Sequence, residues 1–152
     1  MTIQRGVCPS SDEKVALFGL LLETNARLSK ELETMLEATC ELPLAWFEVL
    51  MQLREAPEGR LKMSQMAEAI FHSSGGTTRL VDRLEEAALV TREHCPSDRR
   101  AIYVAITEAG NTKLDEALGV HLGYLDRHLA ARLSDAERLT LTALLTKLNA
   151  SR

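Results

Sequence analysis

The chain has 152 residues, of which 45% are hydrophobic, and a formal net charge of −4 at pH 7. This length and composition predict one domain with a substantial core, and no apolar run approaches the ~20 residues that a membrane helix needs. The first five residues lack the apolar region and cleavage site of a signal peptide, which predicts a cytoplasmic protein.

The three cysteines, Cys8, Cys40 and Cys95, are far apart and odd in number. No pair has the spacing of a zinc ribbon or a CxxC motif. Neither a disulfide framework nor a structural metal is therefore expected.

The acidic net charge argues mildly against a nucleic-acid partner, because DNA-binding domains usually show their electrostatic footprint in composition. Five arginines nevertheless lie close together in the sequence. They are Arg79, Arg83, Arg92, Arg99 and Arg100. Acidic residues are interleaved with them, so the charge pattern alone does not decide the function.

The first helix is predicted over residues 12–39, and residues 10–13 (SSDE) offer capping oxygens and early acids for its start. Residues 15–22 are apolar on nearly every face. Such a helix must be covered all round, which a dimer achieves more easily than a small monomer does.

A second helix is predicted over residues 43–55, with a proline in its first turn. Residues 56–59 then form a turn, and residues 60–62 are candidates for a third strand. Ser64 is expected to cap a compact helix that continues through Phe71. Its inward-facing residues are predicted to be Met66, Ala67 and Ile70.

Residues 72–76 form the turn into the next helix, which has a predicted buried stripe. The stripe consists of Leu80, Val81, Leu84, Ala87 and Ala88. Two antiparallel strands are predicted at residues 89–94 and 101–106, joined by a basic turn. This order of helix, turn, helix, strand, basic turn and strand is typical of a winged helix-turn-helix, which holds duplex DNA at two grooves.

Two further helices are predicted in the last third of the chain. The first begins near Thr107 and continues to about Leu133, and its leucines form one seam. Ser134 and Asp135 cap the last helix, at residues 136–149. With the first helix, these two carry more apolar surface than one subunit can hide, which predicts a dimer interface. The competing interpretation is a three-helix cap on a monomer.

Four segments carry the most specific pattern. They read TRLVDRLE at 78–85, LVTR at 89–92, DRR at 98–100 and ITEAG at 106–110. The pattern resembles the MarR family of bacterial transcription regulators, whose members commonly show T-x-L-V-D-R-L-E-x-x-G-L-V-x-R, then D-x-R, then L-T-E-x-G. Ala88 stands where that family usually has Gly, and Ala tolerates a left-handed backbone poorly.

The resemblance implies a mainly α fold with a small β-hairpin wing and about six helices. Residues 1–152 would form a single domain, with dimerisation helices at 12–39 and 108–150 and a winged helix-turn-helix lobe at 44–106. It implies an obligate homodimer that binds a pseudo-palindromic operator, with repression as the default. Release by a small ligand or an oxidant is often implied as well, whereas no cofactor, membrane partner or enzymatic activity is expected.

Small residues before the fourth helix allow its N-terminus to approach phosphate closely. They are Ser73, Ser74, Gly75 and Gly76. The first side chains expected to reach base edges are those of Thr77, Thr78 and Arg79. An arginine there pairs bidentately with guanine, and Arg83, one turn further, is expected to hold phosphate. The alternative is an ordinary surface helix whose Arg79 and Arg83 pair with Asp82 and Glu86.

The predicted wing presents Arg99 at a hairpin tip, where an arginine fits the narrow, electronegative minor groove. Arg100 is also assigned to DNA, although the resemblance suggests that it pairs with Asp82 and fixes the wing. Asp82 and Asp98 are accordingly assigned to positioning the wing. The alternative is a solvated turn, for which Asp and Ser are ordinary residues.

A cleft between the dimer helices and the DNA-binding lobe is a candidate effector pocket. Its predicted lining is Phe18, Trp46, Met51, His121, Tyr124 and His128. Aromatic residues in such helices usually belong to the core. His121 and His128 are seven positions apart, whereas zinc sites on a helix more often use a spacing of four, so no metal site is expected.

Other functions stay open at this point. A winged helix can bind protein without specific DNA binding, and a cysteine-based redox-sensing regulator would use Cys8 or Cys95, since Cys40 is expected to be buried. The peroxide-sensing branch of the resembling family has its reactive cysteine within the first helix, where this chain offers Val15 and Ala16. An enzyme finds no support, because the sequence lacks a P-loop, G-x-S-x-G, H-E-x-x-H and G-x-G-x-x-G.

Overall fold

The computed structural model describes residues 12–70, 76–95, 97–98 and 100–150. These ranges contain six α-helices and three short strands. In chain order they are α1 (Glu13–Cys40), α2 (Leu44–Glu55), β1 (Arg60–Lys62), α3 (Met63–Ala69), α4 (Thr77–Glu86), β2 (Val90–His94), β3 (Ile102–Ile106), α5 (Glu108–Leu125) and α6 (Asp135–Asn149). The predicted fold class, mainly α with a small β-hairpin, is confirmed.

α1 begins and ends close to its predicted bounds. The Asp12 carboxylate caps it by accepting from the Lys14 N–H at 2.8 Å. At the other end Glu41 has a left-handed φ of 51°, and the Leu42 N–H donates to the Leu36 carbonyl oxygen at 3.3 Å. This closure ends the helix sharply, so α2 follows after a short connection.

The three strands form an antiparallel sheet in the order β1-β3-β2. Val104, fully buried on the central strand, pairs with Leu61 on one side and Arg92 on the other. The third strand predicted at residues 60–62 is therefore confirmed, and the β2–β3 hairpin is the wing.

One hydrophobic core connects the long helices to the wing. Its largest fully buried side chains are Tyr124, Leu36, Leu42, Leu50, Leu53, Met66, Leu84, Leu114, Val49, Val81, Val90 and Val104. Burying an aliphatic side chain of this size stabilises the fold by roughly 1.5–3 kcal/mol. Because α2 packs against α1, α4, α5 and β3, this shared core fixes α4 and the wing relative to the long helices.

The start of α5 lies directly against the end of α4. The Thr107 N–H donates to the Leu89 carbonyl oxygen at 3.1 Å, and the Thr107 hydroxyl donates to the Ala88 carbonyl oxygen at 2.7 Å. A Cβ on Gly110 would lie 2.1 Å from the Leu89 carbonyl oxygen, so this close approach requires glycine.

Predictions around α3 were partly wrong. Ser64 lies inside the helix, because Lys62 takes the N-cap position and its N–H donates to the Gln65 side chain at 3.0 Å. Ala67 is exposed, since so short a helix turns only a narrow face to the core. Met66 and Ile70 are buried as expected, and Phe71 lies outside the described residues.

Two helix ends also differ from the prediction. α4 ends at Glu86, so Ala87 and Ala88 are exposed and do not extend its buried stripe. α5 ends at Leu125 and continues as a π-helical turn, Asp126–Ala130, where one long α-helix was expected. Within this π-helical turn, Arg127 lies 3.7 Å from the sulfur of Met35 on α1, a contact that the leucine spacing does not reveal.

Large apolar side chains remain exposed on three of the described helices. They are Val15, Leu17, Phe18, Leu20 and Leu22 on α1, Leu122 on α5, and Leu139, Leu141, Leu144, Leu145 and Leu148 on α6. α6 has no buried residue at all. Exposed apolar surface of this extent is typical of a protein-contact surface. Among the helices described, none is both long and apolar enough to cross a membrane.

Candidate nucleic-acid interface

α4 turns an apolar face to the core and a polar stripe to solvent. Val81 and Leu84 are fully buried, and Thr77 is also buried. The exposed positions are Thr78, Arg79, Asp82, Arg83 and Glu86. They recur every three or four residues and therefore form one continuous stripe along the helix.

Arg79 and Arg83 project from this stripe as free cations. Asp82 is bound by Arg92 of β2, and neither Arg79 nor Arg83 has an acidic partner within the described part of the chain. The alternative in which they pair with Asp82 and Glu86 is therefore wrong. Free guanidinium groups on an exposed helix can bind phosphate or base edges.

The N-terminus of α4 has no side-chain cap. Gly76 holds the N-cap position and offers no acceptor to the N–H groups of the first turn. Such N–H groups, together with the helix dipole, attract phosphate. Ser73, Ser74 and Gly75 lie outside the described residues, and their assignment to DNA stays a prediction.

Arg92 connects the wing to α4. Its Nη2 donates to Asp82 Oδ1 at 2.6 Å, its Nη1 donates to the Glu85 carboxylate, and its backbone N–H donates to Glu85 Oε1 at 3.0 Å. Partial burial acts to lower the pKa of Arg92, but its bonds to the two carboxylates outweigh that effect and raise the pKa. Arg92 therefore stays charged and holds β2 against α4.

This contact corrects the expected pairing of Asp82 with Arg100. In the structure the cation beside Asp82 is Arg92, which the β2 register places next to α4. Sequence reasoning missed this role, although Arg92 is the arginine of the L-V-x-R motif. Arg100 is exposed, and its backbone N–H donates to Asp98 Oδ1 at 3.0 Å.

Asp98 organises the wing turn. Its N–H donates to the Cys95 carbonyl oxygen at 3.3 Å, and its carbonyl oxygen accepts from the Ala101 N–H at 3.0 Å. With the side-chain bond to Arg100, these contacts close the hairpin and leave Arg100 at the surface. Arg99 lies outside the described residues, so its minor-groove role stays a prediction.

The six predicted effector residues do not line one cavity. Tyr124 and His128 line a groove of about 470 Å³, here called the Tyr124 groove. The rest of its lining is Arg27, Lys30, Glu31, Thr34 and Met35. His121 lies in a second groove of about 560 Å³, the His121 groove. The rest of that lining is Asn25, Ser29, Leu32, Leu44, Phe47 and Glu48. Trp46 and Met51 pack against the core, and Phe18 is exposed on α1.

Tyr124 joins α5 to α1. Its hydroxyl lies 3.0 Å from the Leu28 carbonyl oxygen and 3.1 Å from Glu31 Oε2, and its ring stacks on His128 at 4.2 Å between centroids. Burial, and then Glu31, raise the pKa of Tyr124, so the phenol stays protonated.

His121 has different surroundings. Its ring centroid is 5.1 Å from that of Phe47, and its buried Nδ1 has no hydrogen-bond partner among the described residues. Burial lowers the pKa of His121, which favours a neutral imidazole in this groove.

The two described cysteines lie in different environments. Cys40 is buried, and burial raises the pKa of its thiol. Cys95 lies beside the wing turn, where the Ser97 hydroxyl, 3.1 Å from its sulfur, lowers the thiol pKa. Cys8 lies outside the described residues. The described residues contain no group of His, Cys, Asp and Glu side chains that could hold a metal ion.

Comparisons with a family model and with individual known proteins point to the same family. Residues 41–101 match the MarR family model. The chain is 33% identical over 100 residues to the HTH-type transcriptional repressor MdtR of Bacillus subtilis, an alignment that covers 66% of this chain and 63% of MdtR. The chain thus spans less than two thirds of that relative's length.

Two solved structures share the fold over nearly the whole chain. AbsC, a MarR family transcriptional regulator from Streptomyces coelicolor, is 28% identical with a TM-score of 0.80, and the match covers 95% of each chain. A mutant MarR from E. coli complexed with operator DNA is 25% identical with a TM-score of 0.79, covering 93% of this chain and 99% of that one. Together with the polar stripe on α4 and the wing fixed by Arg92, these matches show that the chain belongs to the MarR family.

Proposed function

We propose that this chain is a sequence-specific, double-stranded DNA-binding transcription regulator that represses as a homodimer on a pseudo-palindromic operator. The observation that carries the proposal is the exposed stripe of α4, where Arg79 and Arg83 have no acidic partner among the described residues. Beside it stands a wing that Arg92 fixes to the same helix. A helix and a wing held together can enter neighbouring grooves of one duplex.

In this proposal the N-terminal turn of α4 enters the major groove. Thr78 and Arg79 are exposed there and read base edges, with Arg79 donating two bonds to a guanine. Arg83, one turn along the stripe, binds phosphate, and Ser73 to Gly76 allow the helix end to approach the backbone closely. Arg99 and Arg100 of the wing bind at the adjacent minor groove.

The exposed leucines of α1 and α6 support dimerisation through residues 12–39 and 108–150. A second copy would cover them, and a dimer would present two α4 helices to two half-sites. Residues 44–106 would then form the DNA-binding lobe of each subunit. MdtR is named a repressor and the similar E. coli MarR is complexed with operator DNA, which supports the same role here.

A small-molecule effector belongs to the proposal as a regulator of this contact. The His121 groove lies between α1, α5 and α2, and the last of these packs against α4. A ligand bound there would shift the DNA-binding lobe relative to the dimer helices, and so change the spacing of the two α4 helices.

One observation favours a second function. The net charge of −4 is unusual for a DNA-binding protein, and a winged helix that binds another protein would tolerate it. The free arginines of α4 argue for DNA, and a binding assay separates the two functions.

The test is fluorescence anisotropy of the purified protein with duplex from its own upstream intergenic region, at two salt concentrations. Tight binding that survives competitor DNA and weakens with salt is the expected result. Absence of binding to any duplex at low salt would overturn the proposal in favour of a protein-binding module.

A further inference from the structure

A small notch lies between the end of β1 and the wing turn, and of the residues that line it Arg100 alone has been assigned to DNA so far. Its volume is about 290 Å³. Lys62 and Ser64 line one side, and Asp98 and Arg100 line the other. Two cations and a hydroxyl thus converge from separate parts of the chain.

Lys62 is available for a ligand. It is exposed, and its Nζ lies 5.9 Å from the ring centroid of Tyr103, with no acidic partner in the described part of the chain. A lysine above an aromatic ring keeps its full charge and its three donors.

Arg60, on the same face of β1, differs from Lys62 because it is paired with acidic residues. It stands two residues before Lys62, so both side chains project to one side of the strand. Arg60 binds the Glu58 carboxylate and lies 3.3 Å from Glu93 Oε2. Of these two neighbouring cations, one is neutralised by acids and the other is not.

The charge balance of the notch is positive. Lys62 and Arg100 contribute two positive charges, and Asp98 contributes one negative charge whose Oδ1 already accepts from the Arg100 N–H at 3.0 Å. A singly charged, oxygen-rich group complements such a site, and a backbone phosphate of duplex DNA has that chemistry.

We propose that Lys62 and Arg100, with the Ser64 hydroxyl, bind one phosphate of the DNA backbone in the notch between β1 and the wing. This inference rests on the proposed function and extends it, because it adds a contact that positions the wing without reading sequence. The phosphate lies beside the wing and apart from the bases that face α4.

The test compares three variants in salt-dependent anisotropy titrations of operator and competitor duplexes. Lys62→Gln should flatten the slope of log affinity against log salt by about 0.9 for each bound subunit. When the salt concentration rises from about 50 mM to about 200 mM, both proteins should lose affinity. The fold-loss of the variant should be smaller than that of the unmodified protein by a factor of roughly 3.5 for each bound subunit. Its weakening at low salt should be equal for both duplexes.

Arg60→Gln is the matched control, since it removes the same charge from the same strand face where acids already neutralise it. We expect it to keep the original slope. Lys62→Arg should restore the slope lost in Lys62→Gln, which separates a charge effect from misfolding, and thermal melts of all variants check the fold.

The outcomes distinguish the two proposals. If the unmodified protein binds DNA but Lys62→Gln and Arg60→Gln have the same slope, the phosphate site is wrong and the proposed function stands. A sequence preference altered by Lys62→Gln would also overturn the site, because a phosphate contact carries no base information. If the unmodified protein binds no duplex, both proposals fail.

Discussion

Arg92 on β2 and Asp82 on α4 are joined at 2.6 Å, so a side-chain contact holds the wing at a fixed position beside the helix that carries the free arginines. The same guanidinium group also binds Glu85. One arginine therefore binds two carboxylates one turn apart. The planar guanidinium group can do this because its N–H donors point in different directions, whereas a single ammonium group cannot.

Arg92→Lys should loosen this junction while keeping the charge. We expect the free energy of unfolding to fall by about 1 kcal/mol, a small value because the carboxylates are partly exposed and solvent screens the pair. DNA affinity should fall as well, since the wing no longer holds one position. Urea unfolding and anisotropy measure the two effects. Arg83→Lys, on the open side of the same helix, is the control and should leave stability unchanged; equal stabilities of the two variants would contradict the structural role.

Arg79→Ala should relax base preference. If Arg79 pairs with a guanine, its loss should cost about 1–3 kcal/mol on the preferred operator and less on a duplex mutated at that base. Arg83→Ala should instead weaken binding to all duplexes alike and reduce the salt slope by about 1. Competition titrations over single-base operator variants separate these patterns, and an Arg79→Ala protein with the original base preference would remove the base-reading assignment.

The long helices, the third strand and the hairpin could be predicted from sequence because each follows from a local rule. Apolar residues recur with the period of a helix, and capping residues such as Asp12 mark a boundary. The partner of Asp82 could not be predicted, because Arg92 and Arg100 are equally plausible in sequence and only the strand register distinguishes them. The separation of His121 from Tyr124 into two grooves likewise depends on how α1 packs against α5.

Ala88 shows how the fold accommodates a departure from the family pattern. Its φ is 59°, and the Leu89 N–H donates to the Leu84 carbonyl oxygen at 3.0 Å, as in a Schellman closure. An Ala side chain disfavours that conformation, so Ala88→Gly should raise the free energy of unfolding by about 1 kcal/mol. Ala87→Gly is the control: its φ of −80° suits Ala, and Gly there should destabilise instead. Urea unfolding that finds Ala88→Gly no more stable than Ala87→Gly would rule out backbone strain at this position.

His121 should make stability depend on pH. Burial lowers its pKa below the usual 6.5, so the unfolded chain binds a proton more readily than the folded one does. The stability linked to His121 is then fully present above about pH 6.5 and is lost as the pH falls from there through the depressed folded pKa. His121→Gln should reduce the difference in unfolding free energy between about pH 7 and about pH 5. If His121→Gln and the unmodified protein show the same dependence of unfolding free energy on pH, His121 does not titrate this way.

Cys95 and Cys40 should differ in alkylation rate. The thiolate is the reactive form, the Ser97 contact lowers the pKa of Cys95, and burial raises the pKa of Cys40. In a Cys8→Ser background, iodoacetamide should label Cys95 first, as followed by mass spectrometry, and Ser97→Ala should slow that labelling.

The same Cys8→Ser protein tests redox sensing, through its DNA affinity with and without peroxide. If peroxide weakens DNA binding and Cys95→Ser abolishes the effect, the wing turn is the sensor. If DNA affinity does not respond to peroxide although Cys95 is labelled rapidly, the thiol is reactive without being regulatory, and the cysteine-based alternative loses its strongest candidate among the described residues.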